Sequence, residues 1–194
     1  MVNFQLNIWS FFDQFSVEFN RRLKERRRTL AGRTGCGLCG TDSLTQVRRE
    51  LAPVRTTQVS AEAVIKAETE LRNWQHIQQL TGATHAAAWV DSKGQILRVR
   101  EDIGRHNALD KLIGDLVRHK VSPSNGFLCI TSRASFEMVQ KAVVFGAGVL
   151  VAVSAPTALA VEVAQASNLA LAGYVRGGNL VAYSFPERFG LVAV

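Results

Sequence analysis

The stretch VLVAV, residues 149–153, contains five apolar residues in succession. A strand with one solvated face would alternate apolar and polar residues, so this uninterrupted run indicates a strand covered on both faces of its sheet. Similar apolar stretches precede it at residues 127–131 and follow it at residues 169–175, each across a helix-length segment. Strands that alternate with helices in this way predict an α/β fold whose sheet is largely parallel.

Cap and turn residues place the helices around these strands. Ser60 is a typical N-cap, Glu62 would lie in the first helical turn, and Gly82 is the expected end of that helix. The apolar stripe of this helix comprises Val64, Leu71, Trp74, Ile77 and Leu80. Residues 132–145 predict a further helix, and residues 154–157 would cap the next one.

Two turns predict hairpins. The tetrapeptide DSKG at residues 91–94 joins two strand-like stretches, and RGGN at residues 176–179 joins the strand at 169–175 to a final antiparallel strand. Residues 60–194 are therefore predicted to form a three-layer α/β/α sandwich with a mixed sheet. Residues 1–59 are predicted to form an N-terminal segment with a strand, a basic helix and a CxxC loop.

The composition and charge of the chain indicate which kind of partner it has and in which cellular compartment it acts. The 194 residues are 47% hydrophobic and 20% charged, so the chain can bury a core, and the net charge of +7 favours an anionic partner. No aromatic residues interleave with the basic run, so no nucleic acid is expected. Three cysteines and no signal peptide indicate a reducing, cytoplasmic location, and no membrane span is predicted.

Two cysteines, Cys36 and Cys39, lie in the glycine-rich stretch TGCGLCGTD at residues 34–42. Bare backbone amides and the neighbouring Arg33 would favour the thiolate, which is the nucleophilic form. Three interpretations stay open: a loop without chemistry, half of a zinc site, or thiol chemistry as disulfide exchange or sulfur carriage. The third cysteine, Cys129, lies in an apolar stretch and is predicted to be buried.

Two polar turns are candidate ligand sites. Residues 101–107 crowd polar side chains at a strand-to-helix junction, which indicates either a ligand site or a helix cap whose charges pair locally. In RGGN, Arg176 and the two glycines could contact a phosphate or guanine, although a plain hairpin turn has the same sequence. A zinc deaminase is excluded because His85 is followed by two alanines, so the required glutamate is missing.

Several motifs together resemble the FdhD family, the sulfur carriers needed to make formate dehydrogenase active. They are CGLCG at residues 36–40, THAAA at 84–88, EDIGRHNALDK at 101–111, SRASFE at 132–137 and SAPT at 154–157. The likeness covers about Arg26 to Tyr183 and implies a cytidine-deaminase-like fold, a homodimer and sulfurtransferase activity. Members usually carry a further, mostly β portion before the cysteine loop, so the opening strand is expected to be its remnant.

The resemblance also implies a substrate and site residues. Sulfur would pass from a cysteine desulfurase to the molybdenum cofactor in its bis(molybdopterin guanine dinucleotide) form, bound as a substrate, with no tightly held metal of the protein's own. Cys36 would carry the persulfide, and Cys39 would share or resolve it. The cofactor-contacting residues would be Val175, Arg176, Gly177, Gly178, Asn179 and Leu180. Asp102, Arg105 and His106 are candidates for the pocket wall.

Two other functions are compatible with the same residues. A non-catalytic chaperone would bind the molybdenum cofactor and deliver it to formate dehydrogenase, with the cysteines only shaping their loop. A dithiol oxidoreductase would instead cycle Cys36 and Cys39 through a disulfide.

Overall fold

The computed structural model describes residues 51–192, which lie within one compact unit, Glu50–Val194. The helices are α1 (Ala61–Leu71), α2 (His76–Thr81), α3 (Arg105–Arg118), α4 (Phe136–Phe145) and α5 (Ala158–Ala166). The strands are β1 (His85–Asp91), β2 (Ile96–Asp102), β3 (Gly126–Ile130), β4 (Val149–Ala152), β5 (Ala170–Arg176) and β6 (Asn179–Ser184). Short 3₁₀ turns occupy Arg72–Trp74, Pro123–Asn125 and Pro186–Phe189.

The six strands form one mixed sheet in the order β2-β1-β3-β4-β5-β6. Only β3/β4 and β4/β5 are parallel, whereas β1/β2, β1/β3 and β5/β6 are antiparallel. The mixed sheet and the antiparallel final strand are therefore confirmed. The prediction of a largely parallel sheet was wrong, because β1 of the β1–β2 hairpin pairs with β3 in the antiparallel sense.

Apolar side chains on the two faces of the sheet build two cores. On one face α3, α4 and α5 contribute residues such as Leu109 and Met138, which pack with Leu128 and Leu150 of the sheet. On the other face α1 and the C-terminal turn pack against residues that include Cys129. This arrangement confirms the three-layer α/β/α sandwich; its likeness to cytidine deaminases stays a prediction.

The segment before α1 is attached to the compact unit. The main-chain N–H of Val54 donates to the Ser167 carbonyl at 3.0 Å, and that of Val59 donates to the Arg188 carbonyl at 2.9 Å. Both valines are buried. Residues 51–59, which were predicted to belong to the N-terminal segment, therefore pack with the sheet. The division of the chain into two domains stays a prediction.

The first predicted helix is shorter than expected. Ser60 caps it as predicted, because its hydroxyl accepts a hydrogen bond from the Ala63 N–H at 3.2 Å, and Gly82 ends α2 with φ of 64°. However, α1 stops at Leu71, and Gln75 has non-helical dihedrals of −92° and 70°. The helix is thereby interrupted before α2. The predicted stripe is wrong beyond Leu71: Trp74, Ile77 and Leu80 are exposed.

The two loops that precede α4 and α5 lie side by side. Residues 132–135 are not helical as predicted, since Ala134 forms an isolated parallel bridge with Pro156 and α4 begins only at Phe136. Thr157 caps α5, accepting a hydrogen bond from the Ala160 N–H at 3.2 Å, which confirms the predicted cap. Among residues 51–192, no helix is long and apolar enough to cross a bilayer.

Candidate functional site

The carboxyl ends of β3, β4 and β5 define one edge of the sheet, which we call the carboxyl edge. Thr131 follows β3 and Val153 follows β4 at this edge, and Arg176 ends β5. Because β1 runs antiparallel to β3, its first residue, His85, lies at the same edge. Ligands of open α/β sheets bind at the carboxyl ends of parallel strands, so this edge is the place to seek a site.

The predicted cofactor-binding turn lies at the carboxyl edge, between β5 and β6. Gly177 and Gly178 have φ of 59° and 78°, and a Cβ added to either would meet no atom within 4 Å. The Asn179 side-chain amide donates to the Gly177 carbonyl at 3.1 Å, which holds the turn. Arg176 is exposed and Val175 is buried. The turn therefore offers accessible backbone beside an exposed guanidinium.

A cavity of about 940 Å³ opens at the same edge, between the α1–α2 region and the ends of the strands. Its lining is mostly polar: Glu68, Leu71, Arg72, Gln75, Gln78, Gln79, Gly82, Ala83, Thr84, His85, Thr131 and Val153. Most of these residues lie between Glu68 and Thr84, on both sides of the break at Gln75, and the others lie at strand ends. A volume of this size is within the range of small-molecule sites.

Three polar side chains of the cavity make no hydrogen bond to any residue that the structure describes. Gln75 is only 7% exposed yet its side-chain amide has no such partner. Burial raises the pKa of Glu68, although Arg72 partly opposes this rise. Burial, assisted by the nearby Arg105 charge, lowers the pKa of His85, so its imidazole is neutral at pH 7. Sequence reasoning missed Glu68 and Gln75, because a lone helix position carries no motif.

Glu101 fastens α2 to the end of β2. Its carboxylate accepts hydrogen bonds from the Ile77 and Gln78 N–H groups, both at 2.9 Å, and from the Thr84 hydroxyl at 3.0 Å. Burial alone would raise the pKa of Glu101, but these hydrogen bonds outweigh it and lower the pKa. Glu101 thereby caps the N-terminus of α2 and holds the cavity wall in place.

Asp102 holds the residues at the start of α3 together. Its carboxylate is bonded by the Lys111 ammonium, by the Gly104 N–H at 2.8 Å and by the Asn107 amide at 3.2 Å. These contacts, led by Lys111, lower the pKa of Asp102 to about 2. For Asp102 the structure therefore favours local charge pairing at the start of α3 over a role as a ligand group. Neither Asp102 nor His106 is among the described lining of the cavity.

His106 joins the first turns of α3 and α4. Its Nε2 lies 2.8 Å from Glu137 Oε2, and both atoms are buried. Burial lowers the pKa of His106 more than the Glu137 charge raises it. At neutral pH the His106 imidazole is therefore neutral, and its contact with Glu137 is not a full ion pair.

The cavity and the turn lie at the same carboxyl edge. The Tyr174 N–H points to the Ser154 carbonyl at 3.4 Å, and Ser154 directly follows the cavity-lining Val153. Tyr174 itself has φ of 52° and is 44% exposed two residues before Arg176. No sequence signal indicates this backbone conformation, because tyrosine seldom adopts positive φ.

Of the three cysteines, only Cys129 lies among the described residues. Cys36 and Cys39 lie outside the described residues. Cys129 is buried as predicted, and burial raises the pKa of its thiol to about 12, so it is not a nucleophile at neutral pH. Among residues 51–192, no group of three or more His, Cys, Asp or Glu side chains could hold a metal ion.

Comparison with known proteins decides the family. The sequence model of the FdhD/NarQ family matches residues 7–190. The chain belongs to the FdhD/NarQ family. It is 53% identical over 171 residues to a protein of Bordetella petrii and 57% identical over 176 residues to one of Cupriavidus necator, both named sulfur carrier protein FdhD. These FdhD alignments cover 88% and 90% of this chain.

The same alignments cover only 62% and 61% of those two relatives, so the chain spans about three-fifths of the length of the FdhD proteins it matches. A crystal structure of a candidate formate dehydrogenase accessory protein from Desulfotalea psychrophila shares the fold. Its TM-score is 0.67 at 24% identity, with 72% of this chain and 60% of that chain covered.

Proposed function

We propose that this chain is a sulfur carrier that activates formate dehydrogenase, passing persulfide sulfur from a cysteine desulfurase to the molybdenum cofactor. The observation that carries the proposal is the identity of 53–57% to proteins named sulfur carrier protein FdhD over most of this chain. The exposed arginine-glycine turn at the carboxyl edge supports it, because the cofactor's guanine dinucleotide arms are anionic. The corresponding activity is that of a sulfurtransferase.

The first chemical step is thiol exchange at Cys36. Its thiolate attacks the outer sulfur of the donor's persulfide, forming Cys36–S–SH, while the donor cysteine leaves as a thiolate. The outer sulfur then passes to the substrate metal, which supplies two electrons, and Cys36 is again a thiolate. Cys39 either shares this sulfur or attacks the persulfide, which would release sulfide and leave a Cys36–Cys39 disulfide.

The substrate would be held at the β5–β6 turn. The Arg176 guanidinium can form paired hydrogen bonds with phosphate oxygens, and the exposed Gly177 and Gly178 offer main-chain N–H donors beside it. Both glycines already have positive φ, so the turn needs no rearrangement to present them. The residues present therefore fit an anionic dinucleotide, with Asn179 holding the turn and Leu180 and Val175 flanking it.

Activity in cells tests the proposal. In a strain that lacks its own carrier but expresses a cysteine desulfurase and formate dehydrogenase, this chain should restore formate oxidation and Cys36→Ala should not. Cys129→Ala is the matched control, since that thiol is buried. Equal rescue by a Cys36→Ser/Cys39→Ser variant would instead establish the non-catalytic chaperone.

The partners and location follow from the same proposal. A cysteine desulfurase and formate dehydrogenase would be the donor and recipient proteins, and the carrier would act as a homodimer in the cytoplasm. Co-purification of the chain with each partner, and light scattering of the purified protein, test these interactions.

A further inference from the structure

Helix α2 is amphipathic in the reverse of the usual sense. Its polar residues Gln78 and Gln79 line the cavity, whereas Ile77 and Leu80 are 48% and 87% exposed. Because Ile77 and Leu80 are three residues apart, they share the outer face of the helix. Surface helices of globular proteins normally turn their apolar face to the core. The exposed apolar face of α2 therefore indicates an interaction surface.

Trp74 enlarges this apolar surface. It lies directly before the break at Gln75 and is 44% exposed. We call Trp74, Ile77 and Leu80 together the α2 patch. These side chains expose roughly 300–400 Å² of apolar area, and patches of this size are often functional. A standard interface buries about 800 Å² of each partner, so the α2 patch can form the apolar centre of one, with polar residues around it.

The charge distribution favours a second copy of this chain as the partner. The chain carries a net charge of +7, so two copies repel each other on the whole. Between residues 70 and 82, however, Glu70 and Arg72 are the only Asp, Glu, Lys or Arg residues, and their charges cancel. Two copies can therefore approach here without net repulsion. The apolar character agrees, because homodimer interfaces are more apolar than those of transient complexes.

Strand β2, to which Glu101 fastens α2, is an edge of the sheet but is not free to pair with another strand. The Val99 carbonyl accepts a hydrogen bond from the Arg100 guanidinium at 2.7 Å, and the Glu101 carbonyl accepts one from the Lys111 ammonium at 3.3 Å. Charged side chains that cover an edge in this way oppose strand addition. Copies that meet at this side of the sheet would therefore pack through helix side chains.

We propose that the α2 patch is the interface of a homodimer, in which Ile77 and Leu80 of each copy pack against the same residues of the other across a twofold axis. The inference rests on the proposed function for the existence of a homodimer, and it assigns the surface that forms it. In this dimer the outer face of α2 is buried while its inner face still lines the cavity. Association therefore supports the cavity wall, which the Glu101 carboxylate holds within each chain.

The oligomeric state of the full chain tests the proposal. Sedimentation equilibrium over a range of protein concentrations gives the dissociation constant of the dimer. We expect Ile77→Ser/Leu80→Ser to raise this constant at least about 100-fold, because each dimer loses four buried apolar side chains. Val144→Ser is the matched control: this valine is 75% exposed on α4, outside the α2 patch, so the constant should stay unchanged. Circular dichroism shows whether each variant is folded.

Cross-linking gives a second measurement. In a Cys36→Ser/Cys39→Ser chain, Leu80→Cys should place two thiols close to the twofold axis, so a short bis-maleimide should join the two copies. Val144→Cys, outside the α2 patch, should give no joined dimer under the same conditions. Cys129 is buried and should not react. Hydrogen exchange of the α2 main chain should also be slower at concentrations where the chain is dimeric.

Each outcome decides the matter. A full chain that stays monomeric overturns the proposal, as does a dimer that Ile77→Ser/Leu80→Ser leaves intact or that Leu80→Cys fails to cross-link. Loss of the dimer in the double variant, with its retention in Val144→Ser, supports the proposal. Persulfide loading of Cys36 is measured on the same proteins. A loaded monomer refutes the interface alone, whereas an unloaded chain that dimerises through the α2 patch refutes sulfur carriage alone.

Discussion

Glu101 should stabilise the fold through the three hydrogen bonds that its carboxylate accepts at the cavity wall. Two come from the N-terminal amides of α2 and one from Thr84, all between 2.9 and 3.0 Å. Loss of a helix N-cap costs about 1 kcal/mol, and loss of the third hydrogen bond to a partly exposed group costs about 1 kcal/mol more. We therefore expect Glu101→Ala to lower the free energy of unfolding by ~2 kcal/mol at pH 7.

Glu101→Gln retains one carbonyl acceptor but loses the charge, so its expected cost is ~1 kcal/mol. The pKa of Glu101 is lowered in the folded protein, so the carboxylate stabilises the fold above the unfolded pKa of about 4.3. This contribution should be lost as the pH falls through the lowered folded value. The difference between the unsubstituted protein and Glu101→Gln should therefore be largest at neutral pH and shrink toward pH 3.

Urea unfolding followed by circular dichroism measures both effects, at pH 7 and at lower pH. Glu187→Gln is the matched control: that carboxylate is 66% exposed and only within 4.0 Å of Arg188, so its loss should cost less than about 0.5 kcal/mol. A Glu101→Ala protein within about 0.5 kcal/mol of the unsubstituted one at pH 7 would refute the anchoring role. A stability difference that does not shrink with acid would refute the pKa reasoning.

Three further perturbations test the fold. Leu109→Ala removes a fully buried side chain and should lower the free energy of unfolding of the monomer, measured in urea, by about 3 kcal/mol. Leu80→Ala, at a position that is 87% exposed, should lower it by less than about 0.5 kcal/mol. Similar losses for the two variants would contradict the packing. Gly94→Ala should lower the free energy of unfolding by about 3 kcal/mol, because its Cβ would lie 2.4 Å from a backbone carbonyl oxygen. Gly82→Ala has open space around its Cβ and should lower it by ~1 kcal/mol, because its φ is positive. The reverse order of the two losses would contradict the described β1–β2 turn. In a protein without the two loop cysteines, the Cys129 thiol should react with a disulfide reagent only after unfolding, and rapid reaction of the native protein would refute its burial.

Local signals in the sequence were sufficient for most individual elements. Ser60 and Thr157 cap their helices, and the β1–β2 and β5–β6 hairpins form where their turns predicted them. These features depend on a few neighbouring residues, so the sequence alone specifies them. The buried state of Cys129 followed equally from its apolar neighbours.

Features that depend on distant residues could not be predicted in this way. Helical periodicity continued past Leu71, but the backbone at Gln75 breaks the helix and changes which face is buried. The strand order is set by packing, so the antiparallel insertion of β1 beside β3 left no local signal. The cavity is lined from both sides of the α1–α2 break and from several strand ends, and its lining residues, such as Gln75, match no motif.

Sulfur carriage is tested most directly by mass spectrometry. The protein is incubated with a cysteine desulfurase and cysteine, and the mass of the peptide that contains Cys36 is then measured. The peptide that contains Cys36 should gain the mass of one sulfur atom, and a reducing agent should remove it. Cys36→Ala should gain none. An unchanged mass for the Cys36 peptide, while the desulfurase itself carries persulfide, would contradict the account.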